Sequence, residues 1–276
     1  MKIKSATQEY EVGKKVATNA FSRLYLCEPV GTDRVCLLQA AADQVQNGQI
    51  DRIAFMLTEL QRHSDELQAE YDIVKTDPDA KLGYDLSFPE LLDSFVRTDG
   101  SGQRVNILAF RDVLDVRSMV PLANIIERDR LFVDLRTSAW VLGKLLKLFV
   151  FTHSYGIEVG AVDTTSILIE PDKHYSVLFD WSKAVLHPEG VPKAIRAKEI
   201  SQAARSVIVL AGGDPDADAM PDTEEMKPSL AYTDYLFYLA DGREREAKSA
   251  HGDFYRLIDE LWKKSFHPFT AMPRTR

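Results

Sequence analysis

The sequence predicts an α+β protein in two lobes. A small antiparallel sheet carrying one long helix is expected over residues 1–111, and a mostly helical part over residues 112–276. Three observations point there. Short apolar runs joined by turn-forming residues crowd the first hundred positions, and one helix-period segment interrupts them. The second half is dominated by apolar residues spaced three and four apart. Of 276 residues, 45% are hydrophobic and 28% charged, which excludes disorder and allows one large domain or two lobes.

Residues 10–16 and 21–28 read as a hairpin about Ala17-Thr18-Asn19-Ala20. A second hairpin joins residues 24–27 to 35–38 about Gly31-Thr32, where glycine first in a two-residue turn fits type II′. That register sets Cys27 opposite Cys36, the only two cysteines, which read as buried thiols. Residues 49–72 form a helix whose inner face is Ile50, Ile53, Leu57, Leu60, Ser64, Leu67 and Tyr71. Residues 91–96 and 105–110 close a further hairpin through Thr98-Asp99-Gly100-Ser101-Gly102. The expectation is five strands with the helix after the third.

In the second half, residues 121–127 read as a short helix with Pro121 in its first turn. Asp134 caps a long apolar helix through Trp140, Leu145, Leu148 and Phe151 to His153, and Gly156 stops it. Strands at 166–170 and 175–179 flank the turn Pro171-Asp172-Lys173. Residues 193–210 form a helix closed by Gly212-Gly213, residues 214–228 an acidic loop, and a last helix presents Phe254, Leu257, Ile258 and Leu261.

Charge narrows the function classes. A net charge of −8 argues against nucleic acid as a partner, because that binding needs a basic stripe to displace counterions. It equally disfavours an anionic membrane surface. The first ten residues lack the apolar core of a signal peptide. The longest apolar stretch, 140–151, is too short to span a bilayer and is interrupted by Gly143, Lys144 and Lys147. A cytoplasmic protein is expected. Asp214, Asp216, Asp218, Asp222 and Glu225 fall at positions 1, 3, 5, 9 and 12 of a calcium loop, but Ala219 replaces its turn glycine and Pro221 interrupts it, so a solvated loop is expected. The histidines show no metal-ligand spacing, and no G-x-S-x-G elbow suggests a hydrolase.

Three stretches carry a resemblance. His153-Ser154-Tyr155-Gly156-Ile157 looks like the "LHxxGI" that ends the long helix before a kinase catalytic loop. Ser166-Ile167-Leu168-Ile169-Glu170 is similar to "NILI", and Leu178-Phe179-Asp180-Trp181 to the metal-binding "DFG" stretch. Together with the element order, they resemble the protein-kinase-like fold over about residues 10–265, most specifically at 153–181. A degenerate serine/threonine kinase of bacterial type fits the pattern. The Asp-Trp spelling is closer to phosphotransferases of the aminoglycoside type.

The resemblance implies phosphoryl transfer, which needs phosphate cradling, a nucleotide lysine, two metal ligands and an aspartate for the attacking hydroxyl. Carried over position by position, most of these groups are missing. The turn at 16–20 has no glycine. Gln39 or Leu38 stands where the "VAIK" lysine belongs, and the helix glutamate falls near Ile53. Ala161 takes the place of the catalytic Asp, Asp163 that of Lys, Ser166 that of the metal-binding Asn, and Val159 that of His. Asp180 alone survives as a metal ligand, and His187-Pro188-Glu189 echoes the closing "APE" only nine residues later.

The resemblance therefore implies a pseudokinase without cofactor or catalytic residues, working on another protein as an interaction or allosteric module. The alternative is a divergent phosphotransferase using Asp163 or Asp180, or a nucleotide sensor in which Gln39 and Asp180 touch the ligand. Both residues also have structural readings: Asp180 as an acceptor of backbone N–H groups at a strand end, Gln39 as a satisfied polar group. Trp181 and His153 read as structural.

Overall fold

The structure, a computed structural model, describes residues 1–221, 230–263 and 266–273. It divides into two compact units, Met1–Ser118 with Asp180–Ser182, and Met119–Phe179 with Lys183–Arg276.

The first unit is a six-stranded antiparallel sheet with one helix. Its strands are β1 (Lys2–Lys4), β2 (Glu9–Thr18), β3 (Ser22–Pro29), β4 (Cys36–Ala41), β5 (Glu90–Val96) and β6 (Arg104–Ala109), in the order β1-β2-β3-β4-β6-β5. Helix α1 (Asn47–Val74) lies between β4 and β5 in the chain. The expectation of five strands is corrected to six: Lys2-Ile3-Lys4 adds an edge strand that buries only Ile3, too little pattern to read in sequence. The helix consequently follows the fourth strand.

Cys27 stands opposite Cys36 as expected, and both are free and buried. The turn between them is not type II′. Thr32 N–H donates to the Pro29 carbonyl at 3.1 Å, so Gly31, with φ of 91°, occupies the third turn position, where type II requires a positive φ. On one face of the sheet, Tyr10, Cys27, Cys36, Leu38, Ala40, Val105, Ile107 and Ala109 form a closed apolar cluster. On the other lies α1, which buries Ile50, Ile53, Leu57 and Leu60 against β4, β5 and β6. Asn106 Nδ2 fixes it there by donating to the Ile50 carbonyl at 2.9 Å.

The second unit is built on α2 (Leu135–Ser154), with short strands at its ends. Ahead of it come β7 (Val120–Pro121) and β8 (Leu131–Val133); after it come β9 (Ile157–Glu158), β10 (Ile167–Glu170), β11 (Tyr175–Leu178) and β12 (Val185–Leu186). Helices α3 (Lys193–Leu210), α4 (Leu230–Ala240) and α5 (Ala247–Trp262) follow, then β13 (Ala271–Pro273). Asp134 caps α2, its Oδ1 accepting from Thr137 N–H at 2.7 Å. The close approach of α5 is set by Gly143, where a Cβ would meet the Phe254 ring at 2.8 Å.

Three readings are corrected in this unit. Pro121 belongs to β7, paired with Leu168, and the helical turn begins after it, because a proline lacking an N–H serves an edge strand equally well. Helix α4 was absent from the expectation, although Tyr232, Thr233, Leu236, Leu239 and Ala240 carry its spacing. The β8–β13 pair joins Val133 to Ala271, a separation no local pattern reveals. Among the described residues no helix is long and apolar enough to cross a membrane.

Candidate functional site

The loop after α2 is held by one carboxylate. Glu199, on the buried face of α3 and 1% exposed, accepts from Val159 N–H and Gly160 N–H at 2.7 Å each through Oε1. Its Oε2 lies 2.8 Å from His153 Nε2. Gly160 has φ of 85°, and a Cβ there would stand 2.4 Å from the Lys183 carbonyl oxygen. Only glycine fits that approach. Sequence reading passed over Glu199; the available signal was a lone acid beside Ile200, Ala203 and Ala204 on an apolar helical face.

The loop so fixed presents Ala161, 9% exposed, where the resemblance expects the aspartate. Two residues on, Asp163 and Ser166 close on each other. Asp163 Oδ1 accepts from Thr165 N–H (2.9 Å), Thr165 Oγ1 (2.6 Å) and Ser166 N–H (2.9 Å). Ser166 Oγ accepts from Asp163 N–H at 2.9 Å and donates toward the Asp163 and Ala161 carbonyls. Burial alone would push the Asp163 carboxyl up, but these hydrogen bonds outweigh it and hold the group below the usual range. Both side chains are occupied in shaping the turn. Phe179 N–H donates to the Ser166 carbonyl at 2.8 Å, anchoring the chain just before Asp180.

Asp180 and Trp181 belong to the first unit. Asp180 is half-buried, and its Oδ1 accepts from Ser182 N–H at 2.9 Å. Trp181 is fully buried, with Phe88 packed edge-on at 6.4 Å. Gln39 sits on β4 directly between Leu24 and Asn106, 3% exposed, and its Oε1 has no hydrogen-bond partner. Its neighbour Asn106 is committed to Ile50 and to Ser94, whose Oγ donates to Asn106 Oδ1 at 2.8 Å. Ile53, where a helix glutamate would hold a lysine, is buried. In the turn before β3, Asn19 Oδ1 accepts from Phe21 N–H, Ser22 N–H and Ser22 Oγ, filling the inside of the turn with a side chain.

Only residues 181–192 separate Asp180 from the start of α3. Part of this segment is β12, paired with β9 and tied by His187 Nε2 to Glu158 Oε2 at 2.7 Å. In the acidic loop, Asp214 Oδ1 accepts from Asp216 N–H and Ala217 N–H, and Asp216 pairs with Arg205. Asp222 and Glu225 lie outside the described residues. Among the described residues no three His, Cys, Asp or Glu side chains converge on a metal position.

No protein-family model matches the sequence, and no curated protein matches it. Solved structures do. Vaccinia related kinase 3 aligns over 97% of this chain and 93% of its own, at 13% identity and a TM-score of 0.61. The BubR1 kinase domain aligns over 94% and 83%, at 11% identity and 0.62. Rad53 1–466 in complex with AMP-PNP aligns over 88% of this chain and 60% of its own, at 14% identity and 0.58. The chain has a protein-kinase-like fold.

Proposed function

We propose that this kinase-like chain is catalytically silent and acts in the cytoplasm by binding another protein. Ala161 carries the reading: a methyl group stands where phosphoryl transfer needs a carboxylate to orient the attacking hydroxyl. Nearby groups do not substitute for it, since Asp163 and Ser166 spend their hydrogen bonds on their own turn. The twelve residues between Asp180 and α3 also leave little chain for a substrate platform. Two free cysteines suit a reducing compartment.

A nucleotide sensor is the second reading. The unpartnered Oε1 of Gln39 favours it, because a bound ligand would supply the missing donor. Thermal unfolding with ATP and Mg²⁺ decides between them. A hundredfold excess over Kd stabilises by roughly 2.7 kcal/mol, and at about 2–4 °C per kcal/mol a binder shifts Tm by more than about 5 °C. The silent module shifts by under about 1 °C. A larger shift that disappears in Asp180→Ala establishes the sensor.

A further inference from the structure

Three stretches of the first unit enclose a cavity of about 500 Å³: Arg34 ahead of β4, residues 81–90 from the loop after α1 into β5, and residues 111–114 after β6. Ion pairs hold its walls. Arg34 Nη2 donates to Glu90 Oε2 and to the Phe110 carbonyl, at 2.8 Å each. Arg111 Nη1 lies 2.9 Å from Asp85 Oδ2, and its Nη2 lies 3.9 Å from Asp65 on α1. Val35 N–H donates to the Leu114 carbonyl at 2.9 Å, pinning the far end of the turn. Within that turn Asp112 takes φ of 57°, a left-handed conformation that a short polar side chain tolerates.

The lining is mixed in sign and half open. Arg34, Lys81 and Arg111 face a common space with Asp85, Glu90 and Asp112, a balanced surface on a chain of net charge −8. The ion pairs leave capacity on both sides: Asp85 Oδ1, Glu90 Oε1 and Arg34 Nη1 have no hydrogen bond among the described residues. These groups are within reach of a ligand, since the side chains of both pairs are 24–32% exposed. Lys81 is exposed, with Asp72 in electrostatic reach, and forms no hydrogen bond or ion pair among the described residues. Leu86, Val113 and Leu114 add an apolar wall, and Leu114 is 73% exposed at its rim.

This lining selects its ligand by charge and shape. A simple anion meets three carboxylates and a simple cation meets three cations, so neither gains on entry. A small molecule with one charge of each sign finds an opposite partner for both. The leucine wall rewards an apolar body on the same molecule. The volume falls within the roughly 300–1,000 Å³ of small-molecule sites. We propose that the cavity binds a free α-amino acid with an apolar side chain. Lys81 and the Arg34 guanidinium take its carboxylate, the spare oxygens of Asp85 and Glu90 take its ammonium, and its side chain lies on Leu86 and Leu114. A peptide does not serve, because each of its ends carries one of the two charges.

The test is calorimetric titration of the full chain with L-leucine, beside leucinamide, which lacks the carboxylate, isocaproate, which lacks the ammonium, and glycine, which lacks the apolar body. Saturable one-to-one binding of leucine is expected, with each of the other three weaker by about tenfold or more, the worth of one charged hydrogen bond or one buried side chain. Lys81→Gln and Leu114→Ser, both at exposed positions, each raise the Kd for leucine by about tenfold with the circular dichroism spectrum unchanged. Lys81→Gln also narrows the gap between leucine and leucinamide, and Leu114→Ser the gap between leucine and glycine. Absence of saturable heat with leucine, equal binding of leucinamide or isocaproate, or binding untouched by both variants overturns the proposal. None of these outcomes bears on phosphoryl transfer or on protein binding, so failure here and failure of the reading above are distinguishable.

Discussion

Tyr10 donates its hydroxyl to Asp93 Oδ2 at 3.0 Å, and its ring stacks 6.3 Å from Phe95. The two contacts join β2 to β5, the strand at the far edge of the sheet, so the sheet curls over its own apolar cluster. Burial, then the Asp93 carboxylate, holds the phenol protonated well above its ordinary range. Tyr10→Phe removes a hydrogen bond to a charged acceptor and is expected to cost about 1.5–3 kcal/mol. The midpoint of urea unfolding reads the loss. An unchanged midpoint means the curl is held elsewhere.

The cluster also sets the behaviour of the thiols. Burial first, then Cys36 and Glu28, pushes Cys27 up to about 12, and burial raises Cys36 to about 11 despite the opposing pull of Arg34. Folding thus raises both values above the ordinary thiol value of 9.0. The folded state keeps protons that the unfolded chain releases, so this stabilisation is complete below pH 9 and is lost as pH climbs through about 11–12. Iodoacetamide at pH 8 should label neither cysteine in the native protein and both in denaturant, counted by mass. Rapid native labelling contradicts the burial.

Much of this unit could be read in advance because its signals are local. The Cys27–Cys36 register followed from two alternating runs and the residues between them, and α1 from seven apolar or small side chains on one face. The misses are where one residue does the work or where partners are remote. Ile3 alone anchors β1, and β13 meets β8 across more than half the chain. At the site, the identities of Ala161, Asp163 and Ser166 were legible, but not that Asp163 and Ser166 bond to each other. Glu199 was invisible for the same reason: it acts on Val159 and Gly160 some forty residues away.

Glu199 and Gly160 are expected to matter to folding. Glu199→Ala strips a buried carboxylate from two backbone N–H groups and His153, at a cost of about 3–5 kcal/mol. Gly160→Ala forces a Cβ against the Lys183 carbonyl at positive φ, where strain of order 1–3 kcal/mol is expected before the clash is counted. Calorimetric melting of the two variants checks both, and wild-type stability in either contradicts the loop geometry.

The most direct measurement is transfer of the labelled γ-phosphate of ATP, with Mg²⁺ or Mn²⁺, to the chain itself and to generic protein substrates, run in parallel on wild type and Ala161→Asp. The account predicts no incorporation from either. Adding one carboxylate leaves Gln39 uncharged, Asn19 filling the turn before β3 and Ser166 bonded within its own loop. Incorporation by wild type that is abolished in Asp180→Ala, or incorporation gained by Ala161→Asp alone, contradicts it.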